Sequence, residues 1–170
     1  KSKPVVLVFD TLFLIVFWSW ALSALLFLRN TILPHQLITV MPEALQLPFE
    51  PVQFQAIDGV KLAGWTIKAD LSAPWIVLCH GVGTNRSDVL EIAAGLHAAG
   101  FNLLLFDFRG HGDSEGRTTS FGWLEQRDLE GALAYLGRQP DVLDKPYGVY
   151  GLSMGAVTAI LVAAKDERLG

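Results

Sequence analysis

The sequence predicts an α/β fold in which a mainly parallel sheet carries helices on both faces, with an antiparallel hairpin at the start and a transmembrane helix before it. Three observations predict this fold. A long apolar run opens the chain, two alternating strands flank an Asp-Gly pair, and short apolar strands then alternate with helical patterns. Alternation of buried strands with helices is typical of a parallel sheet that lies between two helical layers.

Length and composition limit the number of domains and the kinds of partner that the chain can have. The chain of 170 residues is long enough for one domain with a substantial core. Its hydrophobic share of 51% and positive mean hydropathy indicate a membrane segment. The net charge of −4 and the absence of a basic stripe argue against a nucleic-acid partner. Because Cys79 is the single cysteine, no intrachain disulfide can form.

Residues 1–30 are interpreted as a single-pass membrane anchor. The run from Val5 to Leu28 is almost continuously apolar and can cross a bilayer core of about 30 Å. A long buried helix and a cleaved signal peptide are the alternatives, and the signal peptide fits less well because its apolar core spans about 7–15 residues. Two lysines before the run and one arginine after it favour a cytoplasmic N-terminus and a catalytic domain on the non-cytoplasmic side.

Residues 31–50 read as a linker, because the prolines in and next to this stretch forbid a long helix. We expect the globular domain to occupy residues 51–170. It opens with two alternating runs, Pro51–Ile57 and Val60–Ile67, on either side of Asp58-Gly59. This pattern predicts an antiparallel hairpin.

Strands and helices then alternate. The continuous apolar runs Trp75–Cys79 and Phe101–Phe106 are typical of strands buried on both faces. The intervening helix is predicted over 87–99 and a second helix over 122–137. The predicted inner face of the first helix consists of Val89, Ile92, Ala93 and Leu96, and that of the second of Leu124, Leu129, Leu133 and Leu136.

The stretch Gly151-Leu-Ser153-Met-Gly155 follows a short β-type run and precedes a small-residue helical pattern. A strand, a sharp turn with serine at its apex, and a helix form the context of a nucleophile elbow. The turn is so tight that we expect only glycine to fit at its two flanking positions.

Two further stretches come directly after predicted strands. They are His80-Gly81-Val82-Gly83 and Asp107-Phe-Arg-Gly-His-Gly-Asp-Ser114. In open α/β sheets ligands bind at the carboxyl ends of the strands, so these stretches and Ser153 are predicted to lie at one edge.

In order and spacing, these three motifs resemble the α/β-hydrolase superfamily of serine hydrolases, and are similar above all to its membrane-anchored esterase/lipase-like or serine-aminopeptidase-like branch. The resemblance covers roughly residues 51–170. It implies that Ser153 is the nucleophile that forms an acyl-enzyme. It also implies an oxyanion hole made by the backbone N–H groups of Val82 and Met154. No cofactor is expected, because Gly110-His-Gly112 lacks the third glycine of a dinucleotide fingerprint.

His111 is the tempting choice for the catalytic base. The resemblance instead gives the turn from Asp107 to Ser114 a structural role and places the base later in the chain. We expect the imidazole of His80 to hold the oxyanion loop, residues 81–83, by hydrogen bonds. Cys79 is expected to be a small core residue. No His, Cys or carboxylate cluster has the spacing of metal ligands.

The triad order in this fold is Ser, then Asp or Glu, then His. No histidine follows Ser153, and Asp166 and Glu167 come too early to be the acid. We therefore expect the acid and base to lie beyond these 170 residues, with the fold truncated after the elbow helix. The 170 residues alone should be nearly inactive.

The expected function is hydrolysis of an ester, thioester or amide in a small-molecule or lipid-like acyl substrate. Serine at the apex argues against dehalogenase or epoxide-hydrolase chemistry, which uses an aspartate there. The alternative is a non-catalytic, membrane-bound scaffold or binding module with the same fold. The sequence carries no signal for an oligomeric state.

Overall fold

The computed structural model describes residues 3–31, 35–139, 142 and 147–169. The chain divides into two compact units, Lys1–Ile32 and Leu33–Gly170.

The first unit is a single helix, α1, over Lys3–Thr31. Its stretch Phe9–Arg29, 21 residues, is long and apolar enough to cross a membrane, a property that N-terminal signal sequences share. The hydroxyls of Ser19 and Ser23 each donate a 2.8 Å hydrogen bond to the carbonyl one turn earlier. These two polar groups are therefore satisfied within the helix, which lowers their cost in an apolar environment.

The second unit contains a mixed sheet of five strands among its described residues. The strands are β1 Glu50–Gln55, β2 Lys61–Ile67, β3 Trp75–Cys79, β4 Asn102–Phe106 and β5 Gly148–Gly151. Their order is β1-β2-β4-β3-β5, with β2 antiparallel to both β1 and β4. Strand β3 is parallel to both β4 and β5. The predicted leading hairpin and the parallel strands after it are thus confirmed.

Helices cover both faces of this sheet. They are α2 Leu90–Ala98, α3 Glu125–Leu136 and α4 Met154–Ala163, with 3₁₀ turns at Pro42–Leu45 and Arg86–Val89. Successive residues of a strand point to opposite faces, so Leu103 and Leu105 pack in a core with α2, whereas Leu104 and Phe106 pack in a core with α3 and α4. The predicted fold class is confirmed.

The inner face of α2 differs from the predicted one. Leu90 is buried and Ile92 is 41% exposed, the reverse of the expected pattern for these two positions. The reason is the 3₁₀ turn that precedes α2, because its three residues per turn shift the phase of every side chain that follows. In α3 the helix begins three residues later than predicted, and Leu124 lies before it, half-buried.

Residues 35–49 belong to the second unit and precede its sheet. The two ring nitrogens of His35 are each 2.8 Å from a carbonyl oxygen, one of Gly112 and one of Gly116. The Asn85 side-chain amide donates to the carbonyls of Gln36 and Leu37 at 3.3 and 3.1 Å. This proline-containing stretch is therefore held to the sheet domain by the His35 ring and by its own carbonyl groups.

Candidate active site

Ser153 lies between the end of β5 and the start of α4, as the strand–turn–helix prediction requires. Its backbone has φ 52° and ψ −114°, a conformation that an L-residue adopts only under strain. The side chain is exposed, and its hydroxyl forms no hydrogen bond with any described residue, including the helix N–H groups it precedes. Ser153 is therefore not a helix cap.

The two glycines of the elbow allow its close packing. A β-carbon on Gly151 would collide with the carbonyl oxygen of Gly155 and lie 2.5 Å from the nitrogen of Ala156. A β-carbon on Gly155 would collide with the carbonyl oxygen of Cys79. The prediction that only glycine fits at both positions is confirmed.

The loop after β3 lies beside Ser153. A β-carbon built on Gly81 would be 3.6 Å from the Cβ of Ser153 and 3.7 Å from the carbonyl oxygen of Leu152. Within the described part of the chain, the N–H groups of Val82 and Met154 donate to no protein acceptor. The structure thus brings the three predicted site residues into one region and leaves two backbone donors available there.

His80 is buried directly after β3 and contacts both neighbouring loops. The N–H of Phe108 donates to its Nε2 at 3.0 Å, so Nδ1 carries the ring proton and donates to the carbonyl of Gly81 at 2.6 Å. Burial lowers the pKa of His80 to about 3, which keeps the ring neutral. The predicted role of this imidazole in holding the loop is confirmed.

His111 is also buried, and main-chain groups occupy both of its ring nitrogens. Its Nδ1 is 2.9 Å from the carbonyl of Arg109, and its Nε2 accepts the N–H of Gly83 at 3.2 Å. Burial lowers the pKa of His111 as well. With no free nitrogen, His111 is poorly placed to act as the base for Ser153.

The turn from Asp107 to Ser114 is fixed by buried ion pairs. The carboxylate of Asp107 pairs with the guanidinium of Arg86 and accepts the N–H of Asp113 at 2.9 Å. Burial raises the pKa of Asp107, and Arg86 opposes that shift. The Arg86 guanidinium also lies over the ring of Trp65, 4.3 Å from its centroid. The sequence prediction gave the turn a supporting role but did not identify Arg86 as its partner.

Arg109 ties the same turn to α3 and to the hairpin. It bonds the carboxylate of Asp128 at 2.7–2.9 Å and that of Asp58 at 2.8–3.0 Å. The sequence prediction did not identify Asp128, although a carboxylate next to the apolar Leu129 on a predicted amphipathic helix is a signal for it.

Glu125 supports the loop that precedes α3. Its buried carboxylate accepts hydrogen bonds from the N–H groups of Ser120 and Gly122, both at 2.8 Å. Burial opposes ionisation, but these bonds and that of the Ser120 hydroxyl lower the pKa of Glu125 below its usual range. A β-carbon on Gly122 would lie 2.9 Å from Cγ1 of Val157, so the loop abuts the first turns of α4.

Neither a metal site nor a thiol nucleophile is found among the described residues. No group of three His, Cys, Asp or Glu side chains there is placed to hold a metal ion. Burial raises the pKa of the Cys79 thiol, which therefore stays protonated and unreactive.

Comparison with known proteins identifies the family. The profile of the family described as serine aminopeptidase, S33 matches residues 72–169. The thiohydrolase aneE of Aspergillus aculeatus is 32% identical over 124 residues, which are 71% of this chain and 39% of that protein. The uncharacterized protein YqkD of Bacillus subtilis is 35% identical over 105 residues, 62% of this chain and 34% of that protein.

Solved structures give the same result. An esterase of Pyrococcus furiosus superposes with a TM-score of 0.74 at 31% identity, over 81% of this chain and 55% of that one. The chain spans less than half the length of the curated relatives it matches. With its fold and its sequence in agreement, the chain belongs to the serine aminopeptidase, S33 family of α/β hydrolases.

Proposed function

We propose that the full-length protein is a serine hydrolase that cleaves an ester, thioester or amide through an acyl-enzyme on Ser153. The observation that carries the proposal is the strained, exposed Ser153 next to two backbone N–H groups that bond no acceptor among the described residues. A structural serine at a helix start would cap the helix instead. Strain at such a position is typical of nucleophile elbows.

In the proposed mechanism, the Ser153 oxygen attacks the substrate carbonyl carbon while its proton passes to a base. The carbonyl oxygen becomes an oxyanion, which accepts hydrogen bonds from the N–H groups of Val82 and Met154. Collapse of this intermediate expels the alcohol, thiol or amine, which takes up the proton. Water then attacks the acyl-enzyme and releases the acid. Because both donors are backbone groups, the side chains of Val82 and Met154 affect only the shape of the site.

We further propose that the acid and base of the triad lie outside these 170 residues. Two observations support this. The chain spans less than half the length of its curated relatives. Strand β5 is the last strand in the order of the described sheet, and the residue before it, Tyr147, is bridged in parallel to Leu169. Val157, Ile160 and Leu161 of α4 expose apolar side chains. A sheet edge with a single bridge and an exposed apolar helix face are costly to leave in water, so we expect further chain to pack there.

The relatives point to acyl substrates. One is named a thiohydrolase and another an esterase, so both kinds of leaving group occur among proteins similar to this one. The apolar helix α1 favours a membrane location and a lipid-like acyl substrate. We propose that α1 anchors the protein with its catalytic domain on the non-cytoplasmic side. Sequencing the N-terminus of the membrane-extracted protein tests the anchor, because a signal peptide would have been removed. Protease added to intact cells tests the side, because it should cleave the catalytic domain only if that domain is on the non-cytoplasmic side.

A fluorophosphonate probe tests the nucleophile in the full-length protein. We expect labelling of the wild type and none of Ser153→Ala. Ser72→Ala is the matched control, because Ser72 is an exposed turn residue bonded to Asp70 and should not affect labelling. Labelling that persists in Ser153→Ala would assign the nucleophile elsewhere. No labelling of folded wild-type protein would leave the non-catalytic binding module as the better description.

A further inference from the structure

We propose that His111 is a positioning residue that orients the oxyanion loop, through the hydrogen bond that its Nε2 accepts from the N–H of Gly83. The proposal rests on the function proposed above. It assigns to His111 a part in the reaction that is neither that of the base nor that of a general support for the turn.

The Val82 N–H belongs to the peptide group between Gly81 and Val82. The carbonyl of Gly81 and the N–H of Val82 belong to one planar trans peptide, so they point in opposite directions. The Gly81 oxygen is held by Nδ1 of His80 at 2.6 Å and by the hydroxyl of Thr84 at 3.2 Å. Fixing this oxygen fixes the direction of the Val82 N–H.

The peptide group between Val82 and Gly83 is held as well. The N–H of Gly83 belongs to the peptide that follows Val82, and His111 holds it at 3.2 Å. The peptides on both sides of Val82 are therefore fixed, one by each buried histidine. Gly83 itself has φ +73°, a conformation that glycine adopts without strain. Without the His111 bond, the Val82 N–H would be held from one side only.

The ring of His111 is itself held in place by its surroundings. Its Nδ1 lies 2.9 Å from the Arg109 carbonyl, and the side chain is only 1% exposed. The turn that carries it folds tightly around the carboxylate of Asp107, with which a β-carbon on Gly112 would collide. From the outer side, His35 contacts the carbonyls of Gly112 and Gly116. The acceptor offered to Gly83 is thus fixed independently of the loop it holds.

Two amide variants separate the two nitrogens of His111. His111→Asn places a donor near the Nδ1 position, which keeps the Arg109 contact, but has no atom near the Nε2 position. His111→Gln reaches the Nε2 position with an acceptor for Gly83. In the full-length enzyme we expect His111→Asn to lower kcat about 10- to 100-fold at nearly unchanged KM, because a displaced oxyanion donor acts on the transition state. We expect His111→Gln to recover most of this loss.

His97→Asn is the matched control, since the His97 ring on α2 bonds the Lys68 carbonyl and no other group among the described residues. It should keep wild-type kcat. Wild-type kcat in His111→Asn overturns the proposal. Equal losses in the Asn and Gln variants, with equal losses of thermal stability, also overturn it, because the role would then be structural only.

Amide hydrogen exchange gives a readout that does not depend on activity. In a Ser153→Ala background, we expect faster exchange of the peptide spanning residues 81–84 in His111→Asn and not in His111→Gln. If turnover proves independent of Ser153 while exchange changes as expected, the proposed function fails and the positioning contact stands. If turnover depends on Ser153 but neither kcat nor amide exchange changes in His111→Asn, the positioning role is refuted and the proposed function stands.

Discussion

Gly155, in the first turn of α4, packs directly against the carbonyl oxygen of Cys79 at the end of β3, with no room for a β-carbon between them. The same carbonyl accepts the N–H of Leu152 at 3.0 Å. The carbonyl oxygen of Cys79 thus contacts the chain both before and after Ser153. The position of Ser153 beside the loop at Gly81 follows from this contact.

Gly155→Ala should therefore destabilise the protein. Its methyl group would meet backbone atoms that cannot move independently, and overpacking of this kind costs about 1–3 kcal/mol or more. Gly95→Ala is the control, because Gly95 lies in α2 with nothing within 4 Å of its added β-carbon. There, alanine should be neutral or stabilise the helix by up to about 1 kcal/mol. Thermal unfolding of both variants measures the difference, and equal midpoints would contradict the packing described.

Ser153→Gly should raise the free energy of unfolding while it abolishes labelling by the probe. Glycine adopts φ 52°, ψ −114° without the strain that serine carries, and the net gain after its larger chain entropy is about 1 kcal/mol. Ser153→Ala keeps the strain and should show no such gain. Denaturant titration compares the two, and a Gly variant no more stable than the Ala variant would contradict the predicted net relief of strain.

Asp107→Asn should destabilise the fold by about 3 kcal/mol, because it leaves the buried guanidinium of Arg86 without its main counter-charge. Glu115→Gln is the comparison, since the pair between Glu115 and Lys61 is more than half exposed on both sides. Pairs of that kind contribute less than about 1 kcal/mol. Chemical denaturation of the two variants should rank them in this order, and the reverse order would refute the assignment of Asp107 as the centre of the turn.

The contribution of His80 to the free energy of unfolding should fall as the pH falls below about 6.5. Its folded-state pKa is about 3, below the ordinary 6.5, so between these values the unfolded chain binds a proton and the folded chain does not. The loss amounts to at most about 1.4 kcal/mol per pH unit in this window and stops below pH 3.

His80→Asn keeps a donor for the Gly81 carbonyl and cannot titrate, so its stability should depend less on pH. Measurements between pH 7 and 4 suffice. This pH range also lies above the range in which Asp58 titrates. The hydrogen bond from Arg109 lowers the pKa of Asp58 to about 2, so the contribution of Asp58 to stability is lost only below its ordinary pKa of 3.8. Parallel curves for His80→Asn and the wild type would contradict the prediction.

Much of the site could be predicted from the sequence because its signals are local. The strand, turn and helix around Ser153 lie within 16 consecutive residues, 148–163, and their glycines reflect a steric need that any chain with this turn shares. The phase of α2 could not be predicted in the same way. Leu90 rather than Ile92 is buried because a 3₁₀ turn precedes the helix, and that turn is held by the bond from the Arg86 N–H to Asp107.

The sequence by itself determined the order of strands and helices, the elbow at Ser153 and the loop at Val82, since hydrophobic period and turn chemistry act between neighbours in the chain. Only the tertiary structure decided that Arg86 pairs with Asp107 and that His111 holds Gly83. Those contacts join residues 21 and 28 positions apart. Their energy comes from burying charge and ring nitrogens against one specific partner, and which partner is within reach depends on how β3 and β4 lie side by side.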